Sequence, residues 1–242
     1  MSAIKLPQHL QKSSALALKS FVATIITLLI IHAAPLLAQM KADLYDLNTV
    51  TDAARWALIN VDAESIAVDG KSAIHLVCHG DSANGIVGLA LPVGQKFSTG
   101  VIEVDLKGKS LRGNSFLGIA FNVTDANKFE AIYFRPFNFN VDLPFRDRGV
   151  QYVSWPGNSW EHLRKTYPNT FESRVSNVPN ADDWFHARIE VTEKQVRVFV
   201  NAAPEPSLVV ARLALGDLPR ALGLFVDTSD GYYANLRITP DK

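Results

Sequence analysis

Apolar side chains recur at every second position through most of this chain, and that period confines it to β-structure. Ile102, Val104 and Leu106 share one strand face, with Glu103 and Asp105 on the other. Val196, Val198 and Val200 repeat the pattern. Thr192-Glu193-Lys194 separates that run from the alternating stretch 185–191, so the two read as a hairpin. Further strands are expected near 64–68, 72–79, 85–91, 115–123, 128–135, 149–155, 207–213, 221–227 and 232–239. Asp69-Gly70 is a turn signal between two of these runs. Short strands spaced in this way, with Gly, Asn and Asp between them, predict an all-β sandwich or barrel.

Two stretches suggest helix: Leu44 to Ala57, and a turn at Trp160-Glu161-His162-Leu163-Arg164-Lys165. The segment 136–182, broken by Pro156, Pro168 and Pro179, is too long for an ordinary connection. Long connections in compact domains are usually functional. No internal repeat, low-complexity tract or linker interrupts the pattern.

The first residues are of another kind. Lys5, Lys12 and Lys19 precede an apolar run over 21–31, followed by Ala33-Ala34-Pro35-Leu36-Leu37-Ala38. A basic start, a short apolar stretch and a small residue at the cut site mark a secretory signal peptide. The apolar run is shorter than the roughly 20 residues that span a bilayer. Cleavage after Ala38 is expected, leaving 39–242 as one exported domain, periplasmic or extracellular, with no stable membrane insertion. The whole chain balances 24 Lys and Arg against 24 Asp and Glu. Loss of the leader removes three lysines and leaves a charge of about −3, which argues against nucleic acid as the main partner. The single cysteine, Cys78, alternates with Ile74 and Leu76. It is expected to be a small buried hydrophobe without a disulfide partner.

Eleven aromatics fall within 129–171: Phe129, Tyr133, Phe134, Phe137, Phe139, Phe145, Tyr152, Trp155, Trp160, Tyr167 and Phe171. Among them stand Glu130, Arg135, Asn138, Arg146, Arg148, Gln151 and Arg164. Sugars present apolar C–H faces and a rim of hydroxyls, and flat rings beside planar polar groups match both. Phe134 and Phe137 are expected in the core. Trp155 and Trp160, beside Pro156, Gly157 and Asn158, are placed as platforms on a loop. Tyr133, Arg135, Asn138, Arg146, Gln151, Tyr152 and Arg164 complete the expected ligand-binding set.

The string Phe129-Glu130-Ala131-Ile132-Tyr133-Phe134-Arg135-Pro136-Phe137-Asn138-Phe139 carries a resemblance. So do Val150-Gln151-Tyr152-Val153-Ser154, Trp184-Phe185-His186-Ala187-Arg188, Pro206-Ser207-Leu208-Val209-Val210 and the closing Ser229-Asp230-Gly231-Tyr232-Tyr233-Ala234-Asn235-Leu236. Over roughly 45–240 the chain resembles exported bacterial proteins of the concanavalin A-like lectin/glucanase superfamily. The nearest group is similar to the 3-keto-disaccharide hydrolase-like domain, with laminin G-like domains more distant. The resemblance implies a jelly roll of two curved antiparallel sheets, with ligand on the concave face or its rim loops. It leaves activity open, because lectins, hydrolases and lyases share this superfamily.

Laminarinase-type enzymes carry Glu-x-Asp-x-x-Glu on one strand. Glu103-Val104-Asp105-Leu106-Lys107-Gly108 supplies the first two acids and lacks the third. Chemistry on a 3-keto sugar needs less, since the ketone acidifies the neighbouring C–H and one base can start an elimination. Glu130 is the candidate base, with Tyr133 and Arg135 as donors, although alternation puts Glu130 on the opposite strand face from both. No metal or cofactor is expected. His75 and His79 are about 13 Å apart along a strand, too far to share an ion, and Asp230-Gly231 reads as a hairpin turn rather than a calcium loop. Three readings follow: a lectin-like module binding a glycan, a hydrolase or lyase acting on (3-keto-)disaccharides or glucosides, and a structural envelope sandwich. The first leads, because platforms are plain and a protected base is not. Oligomeric state is not set by these features.

Overall fold

Asp69 and Gly70 both take positive φ, 51° and 76°, and this two-residue turn closes the hairpin of β3 (Val61–Val68) and β4 (Lys71–Cys78). The computed structural model describes residues 43–80, 86–214 and 219–241. The expected signal peptide and its cut site lie outside them. The other strands are β1 (Asp43–Leu44), β2 (Trp56–Ile59), β5 (Gly88–Pro92), β6 (Gly100–Lys107), β7 (Phe116–Asp125), β8 (Lys128–Phe134) and β9 (Val150–Ser154). They continue with β10 (Glu172–Ser173), β11 (Phe185–Val191), β12 (Gln195–Val200), β13 (Leu208–Ala211), β14 (Ala221–Asp227) and β15 (Asp230–Pro240). One sheet runs β13-β12-β11-β6-β15-β4-β3, with β1 also on β15; the other runs β10-β9-β8-β7-β14-β5-β2. Every pairing is antiparallel, and the two sheets form a jelly-roll sandwich.

Alternation decides which side chains meet between the sheets. Ile102, Val104 and Leu106 on β6 are wholly buried, as are Ala187 and Ile189 on neighbouring β11. From the facing sheet come Ile119, Phe121, Ile132 and Phe134. Phe185 meets Phe134 and Phe139 edge to face, at 5.0 and 5.3 Å between ring centres. Each such pair adds about 0.5–1.5 kcal/mol beyond the area it buries. Cys78 is half-buried and packs against this core, and burial pushes its thiol up.

Two local expectations are corrected. The stretch from Leu44 to Ala57 holds no α-helix: it passes from β1 through a 3-10 turn at Leu47–Thr49 into β2. Asp46 caps the short 3-10 turn, accepting from the Asn48 N–H, and Asp52 accepts from the Ala54 N–H two residues on, a local bond that competes with helical ones. Asp230-Gly231 is not the turn of a hairpin but the start of β15. The chain turns at Thr228 (φ 71°) and Ser229 and so crosses from one sheet to the other.

The outward face of the eight-stranded sheet carries Asp105, bonded by Lys71 Nζ (2.5 Å), His186 Nδ1 (2.8 Å) and Asn235 Nδ2 (2.7 Å). Burial pushes this carboxyl up, but the bonds from His186, Lys71 and Asn235 outweigh it and hold it well below the usual range. Glu103 stands 3.5 Å from His186. Both oxygens of Asp105 are thus spent on one sheet's own polar surface. His75 and His79 pair with separate acids, Glu64 and Asp230 for the first and Asp62 for the second.

Candidate functional site

The outward face of the seven-stranded sheet is built differently. Strand register sets Phe225, Gly118, Tyr133, Gln151 and Glu172 side by side across five strands, β14 to β10. A Cβ at Gly118 would lie 2.1 Å from the Ile132 carbonyl oxygen, so only glycine fits there. The rings flanking it, Tyr133 and Phe225, stack at 5.4 Å and 19°. They form an aromatic floor. Walls come from the long segment after β8: 3-10 turns at Pro136–Asn138 and Phe145–Arg148, then helix α1 (Trp160–Thr166).

Helix α1 forms because Ser159 caps it, accepting from the His162 N–H at 3.3 Å, with Glu161 in its first turn and Arg164 and Lys165 in its last. Leu163 anchors it in the core. Trp160 and Arg164, one turn apart, line the cavity. Together these elements enclose about 560 Å³, within the usual range for small-ligand sites.

One carboxylate organises the cationic side. Glu172 accepts from Arg164 Nε (2.6 Å) and Nη2 (2.5 Å) and from Arg135 Nη1 (3.4 Å), with Arg148 Nε at 3.9 Å. Arg135 is buried and donates further to Tyr133 Oη (3.0 Å) and Gln151 Oε1 (3.2 Å). The indole of Trp160 lies 4.5 Å from the Arg164 guanidinium and 6.0 Å from that of Arg135. Burial pushes the Tyr133 phenol up to about 12, although Arg135 pulls the other way. Tyr133 therefore stays a neutral hydroxyl at physiological pH.

At the opposite side stands Asp227. Burial pushes its carboxyl up to about 6, bonds from Thr228 oppose this, and the charge of Glu161 adds to it. A carboxyl raised above its unfolded value stabilises the fold while it is protonated. That contribution is present below its ordinary 3.8 and is lost as pH rises through about 6. Asp227→Asn is therefore expected to raise the melting temperature at pH 7 and leave it little changed at pH 4. Melting curves of both proteins between pH 4 and 7.5 check this; parallel curves would contradict it.

No family model and no curated protein matches the sequence. Solved structures do match. A carbohydrate-binding module, CBM66 from Bacillus subtilis, is similar with a TM-score of 0.50 at 12% identity, over 75% of this chain and 92% of that one. The chain has a concanavalin A-like jelly-roll fold. A β-glucanase from Bacillus licheniformis is similar at 11% identity and TM-score 0.49, over 84% of this chain and 100% of its own. A Bacillus subtilis protein with a galectin-like fold gives 12%, 0.49, 82% and 98%.

On this concanavalin A-like scaffold Tyr133, Arg135, Asn138, Trp155, Trp160 and Arg164 come together around the cavity. Gln151 lies beneath Arg135 as its acceptor. Three expected residues are placed elsewhere, and their assignments are corrected. Glu130 and Tyr152 point into the sandwich, Tyr152 Oη donating to Glu130 Oε1 at 2.6 Å. Glu130 is fully buried, and Arg212 grips it through Nη2 (2.6 Å) and Nε (3.2 Å). A base with both oxygens bound inside the core meets no ligand. Arg146 is exposed outside the cavity lining. Phe134 is in the core, whereas Phe137 reaches the cavity. Sequence reasoning left Arg112, Phe116, Phe145, Arg148, Glu161, Glu172, Phe225 and Asp227 out of the expected set. Phe225 and Asp227 share the outward face of β14, so the alternation of 221–227 held the available signal. Among the described residues no cluster of His, Cys, Asp and Glu gathers to hold a metal, and no helix is long and apolar enough to cross a membrane.

Proposed function

We propose that this protein binds carbohydrate in the cavity on the outward face of its seven-stranded sheet, as an exported lectin-like module. The observation that carries this is the pairing of aromatic surface with fixed planar donors. Trp155 and Trp160 offer ring surface above the Tyr133–Phe225 floor, while Arg148 and Arg164 are held beside them by Glu172. The fold shared with a carbohydrate-binding module agrees with it. Replacing Trp160 or Trp155 with Ala is expected to weaken glycan binding by about 1–3 kcal/mol. Trp160 is 37% exposed, so its loss should cost under about 1 kcal/mol of stability. Calorimetric titration of an array-selected glycan, with a melting curve for each variant, checks both halves. Unchanged affinity in the two variants would remove the cavity from the account.

Asp227 supports a second reading, a glycoside hydrolase or lyase acting on the same ligand. Its carboxyl lines the cavity and, held near 6, carries a proton part of the time at neutral pH. Under that reading Asp227→Asn abolishes turnover of glycosides or 3-keto-glycosides and keeps binding. A protein with no turnover on either class is a binding module.

A further inference from the structure

The charges around the cavity do not balance locally. Arg135, Arg148 and Arg164 converge on one carboxylate, Glu172, which leaves a surplus of two positive charges. The other acids of the lining, Glu161 and Asp227, offset this charge only in part once Arg112 is counted, since four arginines then face three carboxylates. Asp147 is taken by Arg174 at 2.8 Å. Asp227 is bonded by Thr228, and among the described residues neither it nor Glu161 forms an ion pair with an arginine. A fourth guanidinium, Arg112, stacks 4.0 Å over the Phe145 ring, and Arg148 approaches the same ring at 5.6 Å. Phe145 thus brings Arg112 and Arg148 to one rim.

Their freedom differs in a useful way. Arg135 is buried and spends its donors on Tyr133, Gln151, Glu172 and the Arg148 carbonyl. Arg164 gives Nε and Nη2 to Glu172. Arg148 touches Glu172 only through Nε at 3.9 Å, and its side chain is 30% exposed. Planar donors that line a half-closed, partly apolar cavity with surplus charge fit an oxyanion far better than a hydroxyl.

We propose that the ligand is an acidic sugar, whose carboxylate or sulfate ester is seated by Arg148 and Arg164 with Arg112 closing from the rim. This rests on the carbohydrate reading above. The ring of that sugar lies over Trp160, and its uncharged hydroxyls point toward Asp227 and Glu161.

Calorimetric titration of the protein with matched trisaccharides tests this. The panel pairs each uronate trisaccharide with its neutral counterpart in the gluco, galacto and manno series and adds a 6-sulfated form of each. At low salt the uronate or the sulfated member should bind at least about tenfold tighter than its neutral partner. Raising salt should narrow that gap. The arm that binds tighter tells carboxylate from sulfate. Arg148→Gln and Arg112→Gln should each lower acidic-sugar affinity by about three- to tenfold. Arg112 is exposed on a loop, so its variant carries the test should the other fail to fold. Equal affinity for acidic and neutral members would overturn the proposal and leave the carbohydrate reading standing. Tighter acidic binding that both arginine variants retain would overturn the placement. Binding of none would overturn both the proposal and the reading it rests on.

Discussion

Arg212→Ala is expected to cost about 3–5 kcal/mol of stability, because it leaves the Glu130 carboxylate charged and unpaired inside the sandwich. Glu130 is fully buried on β8, and the Arg212 side chain that reaches it is only 4% exposed. Arg212 follows β13 in the opposite sheet, so the pair ties the two sheets together. Asn122 Nδ2 (3.0 Å) and Tyr152 Oη (2.6 Å) complete the shell around the carboxylate. Tyr152 in turn accepts the Leu213 N–H at 2.9 Å. Glu130→Gln should also destabilise, since it strands the guanidinium. Replacing both residues with apolar ones of similar size should cost less than the two single changes together. Urea denaturation measures all of these. A Glu130→Gln protein as stable as wild type would contradict the structural role and reopen Glu130 as a functional acid.

Glu172→Ala should be nearly as costly, about 3 kcal/mol, and it should damage binding as well. The carboxylate is 5% exposed and is the acid on which Arg135, Arg148 and Arg164 converge. Without it the buried Arg135 has no counter-charge, and its hold on Tyr133 and Gln151 loosens. Tyr133 belongs to the floor, so the site is disturbed from below. Denaturation midpoints and glycan titrations on the same preparation should both fall. A fully stable variant with unchanged affinity would show that Glu172 organises nothing.

Alternation made the strands legible, and with them the opposition of Glu130 to Tyr133 and Arg135. It did not show which face of β8 meets the other sheet. Both faces are apolar, Phe129 and Ala131 on one, Ile132 and Phe134 on the other, so period two gives no preference. Gln151 and Tyr152 are adjacent and cannot share a face; the sequence supplied no reason to separate them. Glu172 stayed hidden because β10 is two residues long, too short for any period. Phe225 and Asp227 are far along the chain from the aromatic cluster, and only the register of β14 on β7 brings them beside Phe116 and Tyr133. The clustering of rings and arginines in 129–171 was legible because one continuous segment supplies both the floor strand and the walls. Leu44 to Ala57 read as helix, and the Asp46 cap and the Asp52 turn hold it to one short 3-10 turn between strands.

The chain has four tryptophans, Trp56, Trp155, Trp160 and Trp184, and two of them line the cavity. Trp56 is buried in the core, its Nε1 donating to Thr49. The Trp184 ring lies near Lys71, on the side of the eight-stranded sheet. Titrating the array-selected glycan while following the four indole N–H signals by NMR tests the central claim most directly. The signals of Trp155 and Trp160 should move and saturate together, with those of Trp56 and Trp184 still. Movement at Trp56 or Trp184 alone, or no movement at saturating glycan, would contradict a carbohydrate site in this cavity.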